Sequence, residues 1–189
     1  MIRLLHVAAL LLLPLVGHAV EISGVNVPPL ASVAGQPLVL NGAGVRRTLI
    51  FRIYLLALYV PSKTTDAREV LALPGPQRIS MVLLRDVTAP QLIDALETGI
   101  ADNHTAAEIE TLRSRLDTLR GVMMGIRSAR SGSVITLDYV PGAGTQVALD
   151  GSSAGLAIRG EDFYRALLKI WLGDDPADAA LKKALLGLS

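Results

Sequence analysis

The sequence predicts an α+β domain, an antiparallel sheet with helices packed on one side. Three observations predict it. Strand-like runs stand at both ends of the order of elements, with helices between and after them. The run from Leu49 to Val60, LIFRIYLLALYV, is rich in β-branched and aromatic residues and is closed by Pro61. Thr88 with Gln91 and Thr105 with Glu108 have the spacing of capping boxes, so each threonine opens a helix.

The first residues read as a leader. Met1 to Arg3 carry positive charge, Leu4 to Val16 form an apolar run, and Gly17-His18-Ala19 offers small residues to a signal peptidase. Residues 1–19 are therefore expected as a signal peptide cleaved after Ala19, with one domain over residues 20–189. The apolar run is short of the roughly 20 residues that span a bilayer, and no segment after it reads as a membrane span. The expected product is a soluble, exported domain. The chain holds 18 Lys and Arg against 17 Asp and Glu. Without Arg3 the two are equal, which argues against a nucleic-acid partner. There is no cysteine, so a packed core and not a disulfide framework must hold the domain.

Val20 to Val27 reads as a short strand stopped by Pro28-Pro29, and Pro37 to Asn41 as a second. Gly42-Ala43-Gly44 is expected to turn the chain into the long strand of Leu49 to Val60. Thr64 to Leu73 suits a short polar helix, and Gln77 to Leu84 a strand after the Pro74-Gly75-Pro76 break. Leu92, Ile93, Leu96 and Ile100 then share one helical face. Leu112, Leu116, Leu119, Met123 and Ile126 form the stripe of a second helix. Ser133 to Tyr139 and Thr145 to Leu149 alternate as strands, Asp150-Gly151 signals a two-residue hairpin, and Ala154 to Arg159 is the last expected strand. Glu161 to Leu172 is a helix with acids in its first turn and Gly173 as its stop. Asp175-Pro176 is expected to open a final helix reaching about Leu186.

Several motifs fail on context. Gly151-Ser152-Ser153-Ala154-Gly155 matches G-x-S-x-G, but its serine lies between a hairpin turn and a strand, where an esterase elbow needs strand, turn and helix. Gly42-Ala43-Gly44 has Arg47 where a dinucleotide loop needs its third glycine, and no helix follows. With no cysteine and a single histidine after the leader, the usual zinc sites cannot form. No metal and no cofactor are expected.

The informative residues are polar groups in apolar surroundings. Arg46, Arg52 and Tyr54 share parity, so an uninterrupted strand would place them on one face. A guanidinium and a phenol there are either solvated or form an anion site, where arginine can grip a carboxylate with two parallel bonds. His104 stands at the entrance of the second helix, either as a cap-side group or as a polar group at a pocket mouth.

The chain resembles the chalcone isomerase-like family, in its exported bacterial branch. The motifs that carry the resemblance are Gly42-Ala43-Gly44-Val45-Arg46, FRIYLLALYVP from Phe51, PGAGTQVALDG from Pro141, and the closing GEDFYRALLKIWLGDDP and ALKKALLG. The resemblance implies an open-faced β-sandwich, a large antiparallel sheet packed against helices with a ligand cleft between them. It matches the catalytic arginine to Arg46, the threonine position to Tyr54 and the tyrosine position to the neighbourhood of His104. Two of the three polar groups thus differ from the cyclising enzymes. Arg46 with Tyr54 suits better the non-catalytic members that hold a fatty-acid carboxylate. The resemblance therefore implies an exported binder of a fatty acid or similar anionic amphiphile, with Arg46, Tyr54 and His104 as ligand-binding residues. The alternatives are an intramolecular lyase or isomerase acting on a chalcone-like phenolic, and a structural protein with a filled core.

Overall fold

The computed structural model describes residues 19–126 and 128–188. All of the expected leader except Ala19 lies outside the described residues. Strands β1 (Val20–Ile22) and β2 (Val25–Val27) form a separate hairpin, followed by β3 (Leu30–Val33), β4 (Gln36–Thr48) and β5 (Phe51–Val60). Helix α1 (Ala67–Ala72) precedes β6 (Gln77–Leu83). The two-residue strand β7 (Val87–Thr88) leads into α2 (Ala89–Asn103) and α3 (Ala106–Ile126), and pairs with β8 (Ser128–Ala129) beyond them. Strands β9 (Val134–Val140), β10 (Gly144–Leu149) and β11 (Ser152–Ser153) come next, and helices α4 (Glu161–Leu172) and α5 (Ala179–Leu185) close the chain.

The main sheet has seven strands in the order β11-β10-β9-β6-β5-β4-β3, every neighbouring pair antiparallel. Helices cover one face, so the α+β expectation holds. Both capping boxes form: Thr88 N–H donates to Gln91 Oε1 (2.9 Å) and Thr105 N–H to Glu108 Oε2 (2.8 Å). Helix α4 lies at the centre of the helical layer. Its Phe163, Tyr164, Leu167 and Leu168 are all buried, and Tyr164 stacks on Tyr139 of β9 with ring centroids 5.3 Å apart.

Strand β5 is buried on both faces, which is why it reads as an apolar run and not as an alternation. Leu56, Leu58 and Val60 join the core beneath the helices. Leu55, Ala57 and Tyr59 join a second core with Val27, Val33 and Leu38, where the β1–β2 hairpin and the curl of β3 cover the other face. No helix of the described residues is long and apolar enough to cross a membrane.

Beyond the single strand expected over Val20 to Val27, which instead folds back on itself at Ser23-Gly24 as the β1–β2 hairpin, four expectations change. Gly42-Ala43-Gly44 is not a turn: it lies inside β4, and the chain reverses only at Leu49-Ile50, between the paired Thr48 and Phe51. The reason is α5, which packs against β4. A Cβ on Gly42 would collide with the carbonyl oxygen of Ala184 and come within 2.6 Å of that of Leu185; one on Gly44 would come within 2.6 Å of the Ala184 Cβ. Glycine here gives a helix room to approach. Ala154 to Arg159 is not a strand beyond one bridge between Thr145 and Ile158. The final helix is capped by Asp178, whose Oδ1 accepts from Ala180 and Leu181 N–H at 2.8 and 3.0 Å, and not opened by Asp175-Pro176.

The fourth change concerns parity. Arg46 pairs with Tyr54 but Arg47 pairs with Arg52, which leaves Ile53 as an extra residue in β5. Such a bulge turns the residues beyond it to the other face. Ile53 and Tyr54 both pack on the helix-side core, while Arg52 is exposed and lies apart from Tyr54. The single shared face for Arg46, Arg52 and Tyr54 does not exist. A second bulge at Asn41 of β4 is held by its own side chain: Nδ2 donates to the Leu185 carbonyl (2.7 Å) and Oδ1 accepts from Thr64 N–H (2.9 Å).

Candidate functional site

Between the sheet and helices α2, α3 and α4 lies a cavity of about 360 Å³, within the size range of small-molecule sites. Its walls are mostly apolar. Met81, Ile135 and Leu137 rise from the sheet, and Leu96, Leu119 and Leu167 come down from the three helices. Two carboxylates on the lining, Asp94 and Asp102, are exposed residues of α2 and belong to its solvent edge. A second recess of about 220 Å³ shares Arg46, Tyr54, Leu92 and Ala95 with the first, so the two spaces meet at these residues.

Arg46 and Tyr54 are cross-strand partners on β4 and β5, which sets their side chains next to each other on the helix side. The Arg46 Cζ lies 6.0 Å from the centroid of the Tyr54 ring. The Arg46 Nε is buried and, among the described residues, has no hydrogen-bond partner. Among the described residues, no carboxylate lies within ion-pair distance of this guanidinium. Asp178, the charged group beyond Tyr54, is occupied by the α5 cap and by the Arg47 N–H (3.1 Å).

The Tyr54 hydroxyl accepts a hydrogen bond from Trp171 Nε1 at 2.8 Å, a buried contact between strand β5 and helix α4. An indole N–H can only donate. The phenol must therefore spend a lone pair on Trp171, which leaves its own proton free to be donated. Burial raises the Tyr54 pKa above that of an ordinary phenol; the Trp171 bond and nearby Arg46 pull it down by less. The group is a proton-bearing donor at neutral pH. A half-buried guanidinium whose buried Nε is unpaired among the described residues and a phenol with an uncommitted proton thus face the same apolar space. Together they can hold an anionic head, and the walls can take a hydrocarbon.

Of the residues expected from sequence, Arg46 and Tyr54 meet here and His104 does not join them. His104 follows the last turn of α2, its Nδ1 lies 3.0 Å from the carbonyl oxygen of Ile100, and it is not part of the cavity lining. The residue that sequence reasoning missed is Trp171. Its place on the apolar side of α4 was readable, but nothing local names Tyr54 as its partner.

The fold and cavity define an open-faced α+β sandwich with a hollow between sheet and helices. The chain belongs to the chalcone isomerase-like family, whose description matches residues 19–187. Among solved structures it is similar to a fatty-acid binding protein of Arabidopsis thaliana, with a TM-score of 0.68, 15% sequence identity, and coverage of 89% of this chain and 96% of that one. No curated protein matches the chain by sequence.

Proposed function

We propose that this protein is an exported, non-catalytic binder of a fatty acid or similar anionic amphiphile, held with its head at Arg46 and Tyr54 and its chain in the cavity between sheet and helices. One observation carries the reading: the buried Arg46 Nε has no partner among the described residues while facing an apolar hollow. Leaving a buried charged donor unsatisfied costs more than a neutral one, and a ligand carboxylate would remove that cost. The ligand class of the Arabidopsis structural neighbour, a fatty-acid binding protein, agrees with it. Export rests on the expected leader of residues 1–19.

Hydrocarbon entering such walls gains about 0.8 kcal/mol per methylene. Ordering and association costs cancel a large part, so micromolar affinity fits the arrangement. A chalcone-type cyclisation finds less support. It needs a group to stabilise a deprotonated phenolic oxygen, and the Tyr54 and His104 positions replace two of the three polar groups on which the cyclising enzymes rely.

Comparing native with denaturing mass of protein taken from its producing cells tests the reading. An added mass of a few hundred daltons, on the order of one amphiphile, lost on denaturation and missing in Arg46→Leu, is the expected result. If Arg46→Leu and Arg46→Lys both carry the same mass as the unmodified protein, the anion site at Arg46 is wrong, since neither leucine nor lysine presents the planar fork.

A further inference from the structure

Among the described residues, four hairpins turn on two residues, with the first at positive φ. Three follow the usual chemistry: Ser23-Gly24, Ala34-Gly35 and Asp150-Gly151 put a small or polar residue first and glycine second. The fourth, joining β4 to β5, is Leu49-Ile50. Leu49 sits at φ 52° with 93% of its surface exposed, and Ile50 is 87% exposed. Phe51 beside them is half exposed. Leucine is a poor choice for a left-handed backbone position, and two bulky aliphatics at a solvent tip gain nothing from folding. The tip therefore combines local backbone strain with exposed apolar surface.

Its surroundings are basic. Arg47 and Arg52 flank the turn, and the Arg85 guanidinium lies 5.1 Å from the Phe51 ring centroid. All three arginines are exposed. Among the described residues, no carboxylate lies within ion-pair distance of any of them. The nearby Asp86 has its carboxylate turned to the Ser131 N–H at 2.8 Å. The tip also adjoins the candidate site. Phe51 and Arg85 line both a surface hollow with Ile50 and the recess that Arg46 and Tyr54 share with the main cavity.

We propose that the Leu49-Ile50 tip, with Arg47, Arg52 and Arg85 around it, docks the protein on an anionic phospholipid surface and opens its cavity towards the bilayer. Aliphatic side chains pass into the headgroup boundary while the guanidiniums meet lipid phosphates. Charge selects this occupant: three unneutralised arginines round an apolar point match a surface that is anionic outside and apolar beneath. An amphiphile would then reach Arg46 from the membrane without crossing water. The docking stands on the tip alone, and only this delivery step rests on the proposed ligand.

Flotation of the purified protein with vesicles, of phosphatidylcholine alone or mixed equally with phosphatidylglycerol, tests the docking. The protein is expected to float with the mixed vesicles at low salt and to be released by salt. Leu49→Asn with Ile50→Ser should lower binding by more than about tenfold, and asparagine suits the backbone at Leu49, so the fold is kept. Arg47→Gln with Arg52→Gln should lower it about fivefold for each arginine. Equal binding to both vesicle types, equal binding of the tip variant, or no binding to anionic vesicles would each overturn the proposal; the last would leave the tip to a protein contact. Affinity for dodecanoate in vesicle-free solution should be the same in the tip variant and the unmodified protein. If neither binds dodecanoate, the ligand reading fails while the flotation result stands.

Discussion

Two stretches of the same face of β4 meet the helices in opposite ways. At Gly42 and Gly44, α5 lies so close that not even a methyl group fits between helix and strand. At Arg46, two residues on, the helices stand off and leave a cavity of about 360 Å³. The close contact is fixed by more than glycine: Asn41 ties the Leu185 carbonyl at the end of α5 to the strand, and Asp178 caps the start of that helix while accepting from the Arg47 N–H. A helix pinned at both ends against β4 cannot slide over to fill the hollow beside it. The tight end is what lets the open end stay open, and packing at one region conserves space at the other.

The two regions should respond to substitution unequally. Gly42→Ala drives a methyl into two backbone carbonyls that no rotamer change can move, so it should cost about 3 kcal/mol or more, read from the urea midpoint. A neutral result would mean that α5 is not held as described. Arg46→Leu should act in the opposite sense on the two regions. Ligand affinity should fall by about 30-fold or more, while stability stays level or rises, because a buried donor without a partner is removed.

Trp171→Phe keeps an aromatic ring at this buried position but a smaller one, and strips the Tyr54 hydroxyl of its donor. It should lose about 2 kcal/mol of stability, from the lost bond and the space the smaller ring leaves, and the phenol, free to turn, should hold the ligand several-fold less well in a displacement titration. Binding should also report pH in a particular way. Protonation of a carboxylate head should weaken it below about pH 4.5, the ordinary carboxylic range. The raised Tyr54 pKa means that its ionisation, which would set a negative charge beside the ligand, comes only above the usual phenol range near about 10. Affinity should then be flat from neutral pH to about pH 9. The smallest effect belongs to His104→Ala, which touches no wall of the cavity and should leave affinity unchanged.

Much of the fold was legible because its signals are local. The threonine caps of α2 and α3, the Gly173 stop of α4 and the Asp150-Gly151 hairpin each depend on residues a few positions apart, and each forms as read. The two misreadings nearest the site share one cause. Gly42 and Gly44 look like a turn until a helix from the far end of the chain is laid on them. Arg52 looks like a neighbour of Tyr54 until Ile53 bulges and reverses the alternation. Arg46 and Tyr54 were readable as polar groups misplaced in an apolar strand, and the structure brings them together across one ladder rung. Trp171 was not readable as part of the site, since its role is a contact between α4 and β5 that no spacing encodes.

The central claim is that Arg46 holds an anionic head at the wall of this cavity. Titrating the protein with dodecanoate and with dodecanol, equal chains with charged and uncharged heads, tests it most directly. The acid should bind at least about tenfold tighter at neutral pH, the scale of one charge-assisted hydrogen bond, and Arg46→Leu should remove the difference. Equal affinity for acid and alcohol in the unmodified protein would contradict it.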